Sequence, residues 1–240
     1  MAHLATAAVL TVLLGTNPSS FDMETPAQRR DRMEEVADSI DWASDGDLRR
    51  QAALLAVGQH ETYWAAYTET CLEIPKGAPD CDQKQARGYW QAWKVSCPSG
   101  WRMEPGSHEA LLAFADCADA HFWSAYRRCR GRHPAGDIAG AFSGYRGASC
   151  TRKSAAKKAG TFARKVQLLE QLARESDPEG RASLPLGPAW GAPFAGELLP
   201  GVQGHLGQHL PHDPLVPLQL LVVDEHLASG PSQLRVEVWH

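Results

Sequence analysis

Glu61 has neighbours that make its position unusual. If the run Ala52-Ala53-Leu54-Leu55-Ala56-Val57-Gly58-Gln59-His60-Glu61 is helical, then Leu54, Val57 and Glu61, spaced by three and four residues, share one face. An ionised carboxylate on the inward side of such a helix costs on the order of several kcal/mol without partners. Burial therefore favours the protonated carboxyl, and a proton held near neutrality is what a general acid needs in order to protonate a glycosidic oxygen. The structural alternative is a helix-end Glu paired with Arg50 or Arg87.

Other chemistries find less support. His60 adjoins Glu61, but Tyr63 and Trp64 follow where H-E-x-x-H would need its second histidine, so a zincin site is absent. The sequence holds no Gly-rich phosphate loop and no G-x-S-x-G elbow. His205, His209 and His212 have no accompanying acidic or cysteine set. No metal and no cofactor is expected.

The six cysteines, Cys71, Cys81, Cys97, Cys117, Cys129 and Cys150, lack any C-x-x-C pair. Even number and wide spacing read as a disulfide framework, with six buried free thiols as the alternative. If residues 107–129 form one helix, Cys117 and Cys129 lie about 18 Å apart, beyond disulfide reach. The pairing expected is Cys71 to Cys81, Cys97 to Cys117 and Cys129 to Cys150.

The elements that must position these residues are mostly helices. Thr25-Pro26 opens an amphipathic stretch over 25–41, with Met33, Val36, Ala37 and Ile40 at helical spacing. Asp47 to about Tyr67 reads as a second helix, buried on most sides and central. Residues 70–106 are rich in Pro, Gly and Cys and read as loops or short strands. Ser107 to about Arg130 and Ser154 to about Glu175 restore the helical period, separated by a Gly-rich turn region over 135–149. The fold class expected is mainly α, with a loop and short-strand excursion.

Against this background the sequence 52–64 resembles the catalytic helix of the lysozyme-like superfamily, of the soluble lytic transglycosylase type, in which a Glu is followed by Ser or Thr and then an aromatic. Here these are Glu61, Thr62 and Trp64. Gly88-Tyr89-Trp90-Gln91 looks like that family's Gly-Leu-x-Gln motif. Its Ala-Tyr-Asn-x-Gly motif is matched loosely by Ala141-Phe142-Ser143-Gly144, or by Tyr145-Arg146-Gly147 if the register slips. The resemblance implies a peptidoglycan-cleaving muramidase acting between N-acetylmuramic acid and N-acetylglucosamine, with Glu61 as general acid and later as the base that deprotonates the muramyl 6-hydroxyl. It implies saccharide-binding roles for Thr62, Tyr89, Trp90 and Gln91. Phe142 and Ser143 would stand where the family has a Tyr and an Asn, which puts efficient catalysis in question. A catalytically inactive wall-binding or structural module is the alternative.

Hydrolysis would need a second carboxylate, about 6.5–9.5 Å away for inversion or about 5–5.5 Å for retention. Glu73, Asp80 and Asp82 are the candidates, and a lone acid suits the transglycosylase route. Trp64, Trp90, Trp93, Trp101, Tyr63 and Tyr89 cluster near the expected cleft, and at least half of them should be core. No Asp or Glu occurs from Ile138 to Leu169, while Arg146, Arg152, Lys153, Lys157, Lys158, Arg164 and Lys165 do. This run reads as a solvated helix face, able at most to aid adhesion to an anionic envelope. No nucleic-acid motif accompanies it.

Composition sets the outer bounds. The chain has 240 residues, 43% hydrophobic and 22% charged, with a net charge of −4. These values suit a soluble globular protein and favour no polyanionic partner for the whole chain. The longest apolar run, Leu4 to Leu14, falls short of the about 20 residues that cross a bilayer. It has the length of a signal-peptide core but lacks a basic flank, so residues 1–22 are either a signal segment or a first helix. Residues 23–175 form the expected lysozyme-like domain. Residues 176–240, with 9 of the 16 prolines and 5 of the 10 histidines, read as a weakly structured tail. Peptidoglycan strands are the expected partner of a secreted bacterial monomer, periplasmic or extracellular, with no transmembrane anchor.

Overall fold

Eight α-helices, a 3-10 turn (Ala66–Thr68) and one hairpin of two-residue strands account for the regular structure of residues 2–147 and 149–176, which are those described by the computed structural model. The expectations for residues 176–240, including His205, His209 and His212, lie outside this region save for Ser176. The helices are α1 (Ala2–Leu14), α2 (Pro26–Ser44), α3 (Leu48–Glu61), α4 (Cys81–Lys84), α5 (Pro98–Arg102), α6 (His108–Cys129), α7 (Asp137–Tyr145) and α8 (Ala155–Ser176). Strands β1 (Ala86–Arg87) and β2 (Ala92–Trp93) pair antiparallel, Ala86 opposite Trp93 and Arg87 opposite Ala92. The chain is mainly α, as its periodicity predicts.

Local chemistry sets several ends. Thr25 caps α2 in a full capping box with Gln28, and Pro26 occupies the first turn. Asp47 accepts from the amides of Arg49 and Arg50 at the start of α3, and Ser107 accepts from Ala110 at the start of α6. The Arg50 guanidinium then grips both carboxylate oxygens of Asp119, at 2.5–3.2 Å, and so ties the beginning of α3 to α6.

Helix α3 runs through the middle of the bundle. It packs on α8, with α2 and α6 beside it, and every residue from Gln51 to Gly58 is buried. Helix α1 packs on α2 and α8, with Val9, Val12 and Leu13 in the core. Within the segment 1–22, residues Ala2–Leu14 are helical.

Two elements differ from expectation. The second helix ends at Glu61 rather than near Tyr67, because Tyr63 and Trp64 take left-handed backbone angles, φ 51° and 60°. That turn folds the Trp64 indole back onto Gly58, where a Cβ would stand only 2.2 Å from a ring carbon. The Gly-rich region 135–149 contains a helix, α7, rather than only turns. Its glycines serve close packing: a Cβ on Gly140 would meet the Cys129 carbonyl at 3.0 Å, and one on Gly144 the Cys129 sulfur at 2.8 Å.

Disulfides join Cys71 to Cys81, Cys97 to Cys117 and Cys129 to Cys150, the pairing expected from the sequence. They suit an oxidising compartment. Among the described residues, no helix is long and apolar enough to cross a membrane.

Candidate functional site

The end of α3 delivers Glu61 to the wall of a cleft of about 300 Å³ that is also lined by Asp82, Gln91, Trp93, Tyr145, Arg146 and Arg152. Only 7% of the Glu61 side chain is exposed. Its wall is not the apolar one expected. Lys158 Nζ lies 2.8 Å from Oε1, and Arg146 Nε lies 3.2 Å from Oε2. The carboxylate is thus held by two cations, and neither is Arg50 or Arg87: the first binds Asp119 and the second stacks 4.2 Å over the Trp101 ring. Proton donation from Glu61 requires that this pairing be loosened.

The hairpin delivers Gln91. Gly88 sits at φ 73°, with Phe114 carbons 3.1 Å from where its Cβ would be, so the turn tolerates only glycine there. The Gln91 amide donates to the Gly88 carbonyl at 3.0 Å, with Gln91 itself left-handed at φ 51°. Trp93, on β2, is 44% exposed and presents its ring both to this cleft and to an adjoining recess lined by Asp80, Asp82, Gln83 and Gln85. The recess is shaped by Cys81–Lys84, whose four residues all have φ between 50° and 64°.

Thr62 fastens α3 to the hairpin. Its hydroxyl lies 2.9 Å from the Tyr89 carbonyl and 3.1 Å from that of Gly58, and it accepts from the Trp64 amide at 3.2 Å. Tyr145 performs a similar task from α7, donating its hydroxyl to the Trp90 carbonyl at 2.9 Å. Burial, with the Glu61 charge second, pushes the Tyr145 phenol well above its usual range, so it remains a donor.

The structure places the six substrate-binding positions inferred from the sequence unequally. Thr62, Tyr89, Trp90, Phe142 and Ser143 are all buried, and only Gln91 lines the cleft. Tyr89, Trp90 and Trp64 form a cluster of rings with centroids 5.8–6.2 Å apart. Its polar edge is the Tyr89 hydroxyl, which donates to Glu69 at 2.9 Å and lies 3.3 Å from Arg32. Phe142 packs against Phe122 and His60. Ser143 donates to the Ser149 carbonyl and accepts from the Arg152 amide, both at 2.9 Å. The hydrogen bonds of Thr62 and Ser143 thus go to backbone groups around the site. The aromatic that reaches the cleft from α7 is Tyr145, in the slipped register.

Of the three second-carboxylate candidates, Asp82 lines the cleft with Glu61, and Asp80 lines only the adjoining recess. Glu73 borders neither. Trp64 is core, Tyr63 is exposed and Trp101 is partly buried beneath Arg87.

Sequence reasoning missed Lys158 and the cleft roles of Arg146 and Arg152. A signal for Lys158 was present: Lys158, Phe162 and Leu169 are four and seven residues apart, one helical face, and all three are buried. Next to Glu61, burial foremost and then the charges of Lys158 and Lys157 lower the His60 imidazole to about 4.

Among the described residues, no group of three or more His, Cys, Asp or Glu is placed to hold a metal ion. Comparison with protein-family models, curated proteins and solved structures finds no match for this chain.

Proposed function

We propose that the chain is a peptidoglycan-cleaving muramidase of the lytic transglycosylase type, with Glu61 as its single acid and base. The observation that carries this reading is a nearly buried carboxylate at the end of the central helix, in a cleft shared with Gln91, Trp93 and Tyr145. A flat indole beside an amide suits a saccharide, stacking on a sugar face while the amide meets its hydroxyls. In this route Glu61 protonates the glycosidic oxygen between N-acetylmuramic acid and N-acetylglucosamine. The same carboxylate then takes the proton of the muramyl 6-hydroxyl as that oxygen closes on the anomeric carbon, giving a 1,6-anhydro end without water. Arg146, the more exposed of the two cations at 51%, is the partner that an entering substrate displaces. The three disulfides agree with a periplasmic or extracellular bacterial setting, which rests on the family resemblance.

The second reading is a catalytically silent lysozyme-like module that binds the wall. The observation in its favour is the double pairing of Glu61, which occupies the carboxylate with Lys158 and Arg146.

Incubation of wild type and Glu61→Gln with purified peptidoglycan, followed by mass analysis of soluble products, separates the two. Anhydro-muropeptides from wild type alone are expected. Reducing ends would replace the transglycosylase by a hydrolase, and binding without products would favour the silent module.

A further inference from the structure

The cleft holds more cation than Glu61 uses. Arg152 lines it, yet its guanidinium has no carboxylate partner among the described residues. Its backbone is nevertheless pinned, the amide donating to Ser143 Oγ at 2.9 Å and the carbonyl 3.1 Å from His133 Nε2. The side chain lies against Gly147, where a Cβ would stand 3.2 Å from Nη2. That contact places it beside the residue following Arg146.

Arg146 approaches Glu61 Oε2 through Nε at 3.2 Å, and its planar fork carries further N–H donors whose geometry suits a second carboxylate. No Asp or Glu occurs from Ile138 to Leu169, so the segment that carries both arginines supplies no carboxylate of its own. His60, next to Glu61, is lowered first by burial and then by Lys158, Lys157, Arg164 and Lys165 of α8. Asp82 is the only acidic residue besides Glu61 that lines this cleft.

We propose that Arg146 and Arg152 form a specificity site for a carboxylate carried by the glycan, and that this carboxylate draws Arg146 away from Glu61. The proposal rests on the reading of the cleft as a glycan site and adds the charge class of the glycan. Substrate binding and release of the acid become one event: the anion that docks on the arginines frees the Oε2 side of Glu61, while Lys158 stays on Oε1. A neutral glycan lacks the group needed to make this exchange.

The test is isothermal titration of wild type, Arg152→Gln and Arg146→Gln with three probes at low and high ionic strength. The probes are chitohexaose, which is neutral; peptide-free peptidoglycan strands, which carry lactyl carboxylates; and hexagalacturonate, which carries ring carboxylates. At least one acidic probe is expected to bind wild type about tenfold more tightly than chitohexaose at low salt, with about tenfold lost in each variant. High salt should reduce the advantage. The acidic probe that shows it identifies the source of the carboxylate.

Equal affinity for neutral and acidic probes, or an advantage that survives both substitutions, overturns the anion site while leaving the glycan cleft intact. Arginine-dependent acidic binding without cleavage upholds the anion site and removes the enzyme. Failure of every probe to bind removes both. Circular dichroism of the variants controls for folding.

Discussion

Lys158 Nζ and Glu61 Oε1 meet at 2.8 Å although 97 residues separate them in the chain, and both side chains are almost out of water. Removing one partner from a buried pair leaves the other charge uncompensated, which costs about 3–5 kcal/mol. Glu61→Gln is therefore expected to lower Tm by about 6–20 °C. Adding Lys158→Met, which replaces the stranded ammonium with a side chain of similar length, should restore most of the loss. Thermal unfolding of the single and double variants checks this, and a double variant no more stable than the single would show that the pair is not the source.

Asp82 shares the cleft with Glu61, which makes it the residue to vary when the reaction outcome is in question. The transglycosylase route needs no second carboxylate, so Asp82→Asn should keep anhydro product formation within about threefold of wild type. A hydrolase using Asp82 as base or nucleophile would instead lose most of its reducing-end products. Product ratios by mass spectrometry distinguish the two.

His60 gives the protein an acid-side weakness. Burial foremost, then the nearby lysines and Arg164, hold its imidazole at about 4 in the folded state, against about 6.5 when unfolded. Between these values the unfolded chain binds the extra proton, so stability rises with pH there. The contribution is fully present above about 6.5 and is lost as pH falls toward 4. Denaturant midpoints measured across this window should decline for wild type, and His60→Gln should flatten that part of the decline.

Gly58 is expected to tolerate no side chain. A Cβ would lie 2.2–2.6 Å from three atoms of the Trp64 ring, and Trp64 in turn packs on Tyr89 and Trp90. Overpacking of this kind costs about 1–3 kcal/mol. Gly58→Ala should lower the unfolding free energy by that amount, read as a lower denaturant midpoint at unchanged slope. It should also disturb Thr62, whose hydroxyl lies near the Gly58 and Tyr89 carbonyls. Unfolding curves, together with the near-ultraviolet signal of the buried indoles, would reveal a variant that escapes this penalty.

The parts of the fold legible in the sequence were those fixed by neighbours along the chain. Thr25 and Ser107 cap the helices they were expected to cap. The length of one helix excluded a Cys117–Cys129 bond, and the pairing expected among the rest is the one found. Glu61 was marked by its spacing from Leu54 and Val57, and it does lie near the interior.

What escaped was set by contacts between distant segments. The partner of Glu61 comes from α8, which packs on α3, and a run of cations read as a solvated face hides one inward member. Helix α7 was obscured because glycine usually punctuates turns, whereas Gly140 and Gly144 are there to let α7 approach Cys129. The third motif was left between two registers because only packing separates them: the Phe142 ring packs on Phe122, and Tyr145 lines the cleft.

The bond from Cys129 to Cys150 fastens the segment after α7 to the end of α6, and that short closed loop contains Tyr145 and Arg146. One rim of the cleft is therefore anchored covalently, whereas the opposite rim, α3, is secured by interior packing. Breaking this one bond would unhook the rim that carries Tyr145 and Arg146 while Glu61 stays fixed by the packing of α3, so the opening would widen as the bundle holds together.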